Sequence, residues 1–301
     1  MSSATQQTDG ATDLHASGWL HATTRLAGPF LHRLLRNRSF VIGALLVLFV
    51  ALIAIFAPML APYDPMHSNF RARLAPPSTA HWFGTDHFGR DLLSRVIYGG
   101  RASLEIGISV VIATGIVGTS IGAIAGYFRR LGNLLMRLMD ALMAFPAILL
   151  AIVISAVLGS SIVNVVIALS IATAPHTARI VRASVLVVRE MEYVEAARAL
   201  GASDLRLLFG HVLINALAPL IVRLTYVFAI AILAEAVLSY IGVGPPPPTP
   251  TFGNIIASER DFTETAPWTV IFPGLAIVIS VLGLNLLGDG LRDVLDPRMK
   301  L

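Results

Sequence analysis

The charged residues of this chain are spaced in a way that only a membrane explains. There are 25 uncharged residues between Arg38 and Asp64, 23 between Glu105 and Arg129, 38 between Asp140 and Arg179, and 24 between Glu264 and Asp289. A helix needs ~20 apolar residues to cross a bilayer core. Three of these gaps therefore hold one span each, and the gap of 38 residues holds two, divided at the polar turn Gly159-Ser160-Ser161. A further apolar segment runs over 211–243 and is interrupted by Arg223 and Glu235. The pattern predicts an all-α polytopic membrane protein with six transmembrane helices, at 40–60, 106–127, 141–158, 162–178, 214–241 and 267–288. Barrel strands would be ~10 residues long with alternating polarity, which these runs are not. Pro146, Pro175, Pro219 and Pro273 fall within the spans, where neighbouring helices can satisfy the backbone groups they free.

Composition closes off other classes. Only 13% of residues are charged and 55% are apolar, against ~25% charged in soluble domains, so a water-soluble enzyme and a disordered chain are both excluded. The absence of cysteine excludes disulfides and thiolate chemistry. Of 22 basic residues 21 are arginine, and the single lysine, Lys300, is next to last. A phosphate-binding P-loop needs a lysine inside a glycine-rich turn, so ATP chemistry is not expected on this chain. No Ser/His/Asp arrangement suggests an active site, and no cofactor or nucleic-acid partner is expected.

An even number of spans puts both termini on one side. With the termini inside, the inner segments hold 15 Lys/Arg and the outer loops six, so the positive-inside rule orients both termini to the cytoplasm. The organisation that follows is a flexible cytoplasmic tail at 1–32, a first transmembrane region at 33–65, an extracytoplasmic loop at 66–105, a five-helix core at 106–288 containing a long cytoplasmic loop at 179–211, and a cytoplasmic tail at 289–301. The first apolar run is longer than the 7–15 residues of a signal-peptide core and is read as an anchor.

The cytoplasmic loop carries the most information. Glu190, Glu192 and Gly201 interrupt its apolar pattern, which suggests two or three short helices near the membrane surface. The stretch Glu195-Ala196-Ala197-Arg198-Ala199-Leu200-Gly201 is rich in small residues, which let a helix seat in a partner's cleft. Taken alone, it also fits a surface helix with a Glu195–Arg198 pair.

The motifs resolve this by resemblance. Glu195-Ala196-Ala197, three residues, Gly201, nine residues and His211-Val212-Leu213 resemble the EAA motif of ABC importer permeases. That motif usually ends Leu-Pro, whereas this chain has Leu213-Ile214. Three further blocks resemble the peptide/nickel branch of those permeases. They are Gly84-Thr85-Asp86-His87-Phe88-Gly89-Arg90-Asp91 with Ser94-Arg95; Glu235 through Gly244, followed by Pro245–Pro248 and Thr251-Phe252-Gly253; and Asn285 through Asp293, closing with Asp296-Pro297-Arg298. The opening that ends Ala61-Pro62-Tyr63-Asp64-Pro65 resembles the "C-type" subunit of dipeptide and oligopeptide importers. The resemblance implies a type I ABC importer permease fold in the inner membrane. It also implies a second, homologous permease subunit, two cytoplasmic ATPases or one fused ATPase, an extracytoplasmic binding protein, and lipid around the bundle. Glu195, Ala196, Ala197 and Gly201 would then couple to the ATPases. The substrate would be a di- or oligopeptide, with nickel as the alternative in the same architecture. An ion-coupled carrier using Arg223 and Glu235 is the rival from another class, and a membrane enzyme lacks a catalytic constellation.

Arg223 and Glu235 are the translocation-path candidates, because a charge within a span should face protein or water. Glu235 also fits a structural role beneath the proline run. Glu105 and Asp140 are expected to be solvated at span edges, and His176 to sit at a helix end. His81, His87, Asp86 and Asp91 match no dense metal-ligand spacing, and no metal is expected.

Overall fold

The computed structural model describes residues 32–295, so most of the expected N-terminal tail and the last six residues lie outside the described part. Helix α1 spans Arg38–Ile55, α2 Leu92–Tyr127, α3 Arg129–Met143, α4 Ala147–Leu158, α5 Ile162–Val188, α6 Glu192–Ala199, α7 Leu213–Ile241, α8 Phe252–Glu259 and α9 Trp268–Leu295. Four of the long helices, α1, α2, α5 and α9, and the helical run from Asp204 to the end of α7 are long and apolar enough to cross a membrane.

Side-chain caps fix where several of these helices start. The Asn37 side chain accepts from Phe40 N at 3.0 Å, Asp91 from Ser94 N at 2.8 Å and Ser161 from Asn164 N at 3.1 Å. Thr251 and Asn254 form a reciprocal capping box at α8. Asn37 also donates to Asp293 at 3.2 Å, which ties the first helix to the last.

The bundle is organised around α2 and α5, which pack along most of their length, with α7 against both and α9 bridging α7 to α1. The apolar core between α2, α4, α5 and α7 contains Ile106, Val110, Ala151, Val165, Leu169, Val227 and Leu238. Lower along the same contact, Gly118, Gly122 and Gly126 recur every fourth residue on α2 and face α5. A Cβ on Gly122 would sit 2.5 Å from the Ala178 carbonyl oxygen, and one on Gly126 would sit 2.7 Å from Val185 Cγ1. This is the small-xxx-small packing by which membrane helices approach closely, with lipid supplying little hydrophobic drive between them. Thr114 and Thr173 hydroxyls meet across the same interface at 2.8 Å.

Several predicted boundaries change. The second span starts at Leu92, so the last part of the expected loop 66–105 is helical. Its charges are accommodated because Arg101 pairs with Glu105 one turn on at 3.1 Å, both exposed, and Arg95 is buried near Asp86. The expected third span at 141–158 is a broken pair instead. Arg130–Met143 and Ala147–Leu158 meet at 88°, and the break falls at Phe145-Pro146, where proline disfavours helix in the preceding residue. The first arm is amphipathic and carries Arg130 and Arg137. The second arm has 12 residues, or ~18 Å, too short to cross alone. The fourth span continues to Val188, which places His176 in the helix interior rather than at its end. The last helix continues to Leu295, into the expected tail.

The α2–α5 contact generates a test. Gly122→Val is expected to destabilise the bundle by ~1–3 kcal/mol through overpacking against backbone, read as a lower thermal midpoint of the detergent-solubilised protein. Gly274→Ala, whose added Cβ meets nothing within 4 Å, should leave the midpoint unchanged or slightly raised. Equal midpoints for both variants would refute the close contact.

Candidate functional site

The segment carrying the EAA-like residues is built onto the ends of α2, α5 and α7. At the end of α5, Arg189 donates to the Gly126 carbonyl at 2.9 Å and the Tyr127 carbonyl at 3.3 Å, occupying acceptors at the C-terminus of α2. Helix α6 follows. Val194 is its buried residue, and it packs with Val185, Val188, Leu207, Leu208 and Val212. Glu192 and Glu195 stand in the first turn and Arg198 in the last, the arrangement the helix dipole favours.

Helix α6 ends in a glycine-terminated reverse turn. Gly201 N donates to the Arg198 carbonyl and Ala202 N to the Ala197 carbonyl, at 3.0 and 3.1 Å, with Gly201 at φ +87°. This is the paired hydrogen-bond pattern of a Schellman cap, whose turning residue is left-handed. A Cβ on Gly201 would meet nothing within 4 Å, so the glycine serves the backbone conformation of the turn rather than close packing within the chain. A turn at Asp204–Leu207 and one wide π-helical turn at Leu208–Val212 then lead into α7. Tyr127 donates to Asp204 at 2.6 Å, pinning this return to α2.

Glu195 and Ala196 are exposed and Ala197 half-buried. Around them Leu200, Leu205 and Phe209 are 88%, 64% and 63% exposed. The segment thus buries one edge through Val194 and presents a face of small and apolar residues. Among the described residues Glu195 and Arg198 form no ion pair.

Arg223 and Glu235 lie on the same helix but in different settings. Arg223 lines a cavity of about 590 Å³ between α5, α7 and α9, together with Asn215, Tyr226 and Arg292. Its Nε is buried with no hydrogen-bond acceptor among the described residues. Glu235 is fully buried and lines none of this cavity. Its carboxylate accepts from Ser103 at 3.0 Å and Ser239 at 2.7 Å, and Thr251 reaches Ser239 at 3.4 Å. These contacts join α2, α7 and the start of α8. The Glu235 oxygens are thus taken up by packing contacts, the setting expected of the structural role rather than of a residue facing a path.

The motif Gly84–Asp91 forms a cap of paired charges. Asp86 accepts from the backbone of Phe88 and Arg90, both at 2.9 Å, and from Arg90 Nε at 2.6 Å. His81 Nδ1 meets Asp91 at 2.8 Å, and His87 Nδ1 meets Glu259 on α8 at 2.6 Å. The acids and histidines are thus drawn into separate pairs. Among the described residues no group of three or more His, Asp or Glu is placed to hold a metal ion. Of the two acids expected to be solvated, Glu105 is exposed, and Asp140 is half-exposed in contact with Arg179.

The described residues thus make a bundle with five helical runs long and apolar enough to cross a membrane. Residues 118–301 match the family of binding-protein-dependent transport system inner membrane components, and residues 27–77 match the N-terminal transmembrane domain of oligopeptide transport permease C. The chain belongs to this family and is a multi-pass inner-membrane protein. It is 56% identical over 269 residues to a putative peptide transport system permease protein of Brucella abortus, covering 89% of this chain and 91% of the relative. It is 46% identical over 269 residues to the dipeptide transport system permease protein DppC of Alkalihalophilus pseudofirmus, covering 89% and 88%. A solved structure of the inward-facing MetNI methionine ABC transporter shares the fold, with a TM-score of 0.55 and 20% identity over 67% of this chain and 96% of that one.

The setting of Glu235 generates a test of packing against path. Glu235→Gln keeps an oxygen acceptor, and serine hydroxyls can turn to accept from its amide, so folded abundance and transport should stay near wild type. Glu235→Ala leaves Ser103 and Ser239 without their acceptor and opens a void, with an expected loss of ~2–4 kcal/mol and reduced membrane abundance. Loss of transport by Glu235→Gln at normal abundance would restore a path role for the charge.

Proposed function

We propose that the chain is the permease subunit of an ATP-driven importer that carries di- or oligopeptides across the cytoplasmic membrane. It would work with a second, homologous permease subunit, cytoplasmic ATPases (two chains or one fused) and an extracytoplasmic binding protein. The peptide reading is supported by relatives named for peptide and dipeptide transport. ATP hydrolysis falls to partner chains, since this one has no lysine within a glycine-rich loop. Glu195, Ala196, Ala197 and Gly201 are the ATPase-coupling residues, and Arg223 faces the translocation path. Both termini and the segment 179–211 face the cytoplasm, as the Lys/Arg distribution favours.

The observation that carries the coupling reading is the face around Gly201. A short helix is held at one edge by Val194, turned by a left-handed glycine and left with exposed Leu200, Leu205 and Phe209. An apolar patch of this kind, beside small residues, marks a protein–protein contact. Closure of the ATPases would then push on α6 and move α5 and α7 as rigid bodies.

Substitutions at Gly201 separate turn geometry from docking. Gly201→Asn keeps access to the left-handed region, whereas Gly201→Ala meets a penalty of ~1–2 kcal/mol there, so uptake should fall in the order Gly, Asn, Ala. Gly201→Asp can also adopt the turn but adds a charge to the contact. It is expected to abolish peptide uptake and weaken ATPase retention at normal membrane abundance, and Glu195→Ala should do so more mildly. Near-normal uptake by Gly201→Asp would show that this face is not the coupling element.

Orientation is checked with single cysteines introduced into a chain that has none. In intact cells, an impermeant thiol reagent should label a cysteine at Ser68 and spare one at Ser203. The reverse pattern would invert the topology.

A further inference from the structure

The cavity around Arg223 has a chemical character of its own. Asn215, Ala218, Pro219, Val222, Arg223 and Tyr226 recur at helical spacing along one face of α7, and Arg292 comes from α9. Arg223 lies ten residues into α7, ~15 Å along its axis. Its Nε is buried without an acceptor among the described residues. A guanidinium in a membrane span normally pairs with an acid or with backbone carbonyls. Among the described residues no Asp or Glu lines this cavity. The nearby acid Asp289 already accepts from the Tyr226 hydroxyl, and Asp140 contacts Arg179. The cavity therefore offers two guanidinium groups within a largely apolar wall, a combination that selects a single oxyanion group carried on an organic body.

The cavity lies at the end of the bundle where α7 leaves the coupling segment and α9 terminates. Asn215, on its wall, donates to the Tyr193 hydroxyl of α6 at 2.9 Å. The cavity and the EAA-like helix are thus linked through one side chain.

We propose that this cavity is an oxyanion-binding site on the inner part of the path, with Arg223 as its principal ligand and Arg292 as the second. The oxyanion is either the terminal carboxylate of a peptide or the phosphate of a phospholipid headgroup. The proposal rests on the importer reading and adds the chemical class recognised inside the membrane part of the machine.

The test uses the intact transporter carrying Ala218→Cys, or Val222→Cys if the first variant fails to assemble. Everted membrane vesicles expose this end to an impermeant maleimide, and the labelling rate is read on this chain, which has no other cysteine. Millimolar alanyl-alanine is expected to slow labelling at least threefold and its C-terminal amide is not, with the protection lost in Arg223→Gln and partly kept in Arg223→Lys. That result assigns the site to a peptide carboxylate. Slowing by phosphatidylglycerol relative to phosphatidylcholine in reconstituted vesicles, again dependent on Arg223, assigns it to a lipid phosphate. Equal protection by acid and amide, protection that survives Arg223→Gln, no effect of either oxyanion, or a cysteine that no reagent reaches would each overturn the proposal. Alanyl-alanine uptake is measured in parallel. Uptake retained without Arg223-dependent protection overturns the oxyanion site alone, and absence of uptake by the unmodified transporter overturns the importer reading.

Discussion

The close contact between α2 and α5 is the constraint on which the other arrangements depend. Lipid gives two apolar helices little reason to associate, so they must gain from packing and interhelical hydrogen bonds. The glycines at 118, 122 and 126 let α5 approach the backbone of α2, and the Thr114–Thr173 contact adds a polar bond within the interface. With these two helices fixed, α7 has a surface to pack on. One end of that surface carries the Ser103–Glu235–Ser239 contacts. The opposite end carries the anchoring of α6 through Val185, Val188 and Val194. One interface thus positions both the charged cap and the EAA-like segment.

The few charges are placed with equal economy. In the cap, Asp86, Asp91 and Glu259 are buried, but each is satisfied by an arginine, a histidine, a helix N-terminus or backbone N–H groups. Removing one member of such a pair leaves an uncompensated charge, which is far costlier than the pair itself. This is why the Gly84–Asp91 segment reads as a structural cap despite its concentration of metal-ligand residue types. The Nε atoms of Arg95, Arg182 and Arg223 are buried without a hydrogen-bond acceptor among the described residues, and of these three Arg223 lines the cavity between α5, α7 and α9.

Much of the fold was legible because membrane insertion imposes a length and a polarity on each span, and both appear directly in the charge spacing. Three of the shifted boundaries, the start of α2 and the ends of α5 and α9, share one cause: a charge resembles a helix end in the sequence pattern, whereas a helix continues past charges that pair within it or lie on its polar side. Arg101 and Glu105 pair one turn apart on α2, and Arg179 and Arg182 lie on α5, which runs on to Val188. The break before Pro146 was marked in the sequence by the proline and by Arg130, Arg137 and Asp140 upstream, but a count of apolar residues does not register a bend. The glycine spacing on α2 was equally visible as a small-xxx-small repeat. Which helix it faced was not, because that depends on the fold. The burial of Glu235 was hidden for the same reason: its donors come from residues 103 and 239.

The segment between α5 and α7 is held to the bundle at several points. Val194 roots α6 in a cluster shared by the end of α5 and the entry to α7, so a push on the helix is not absorbed by one loop. Arg189 ties the preceding residues to the last carbonyls of α2, and Asp204 ties the following turn to Tyr127. Three long helices are therefore joined at this segment. The left-handed turn at Gly201 and the wide turn at Leu208–Val212 sit between α6 and α7. Because a packed core is stiff, helices that share one move together rather than bending locally, so the ends of α2, α5 and α7 are tied to one another through this segment.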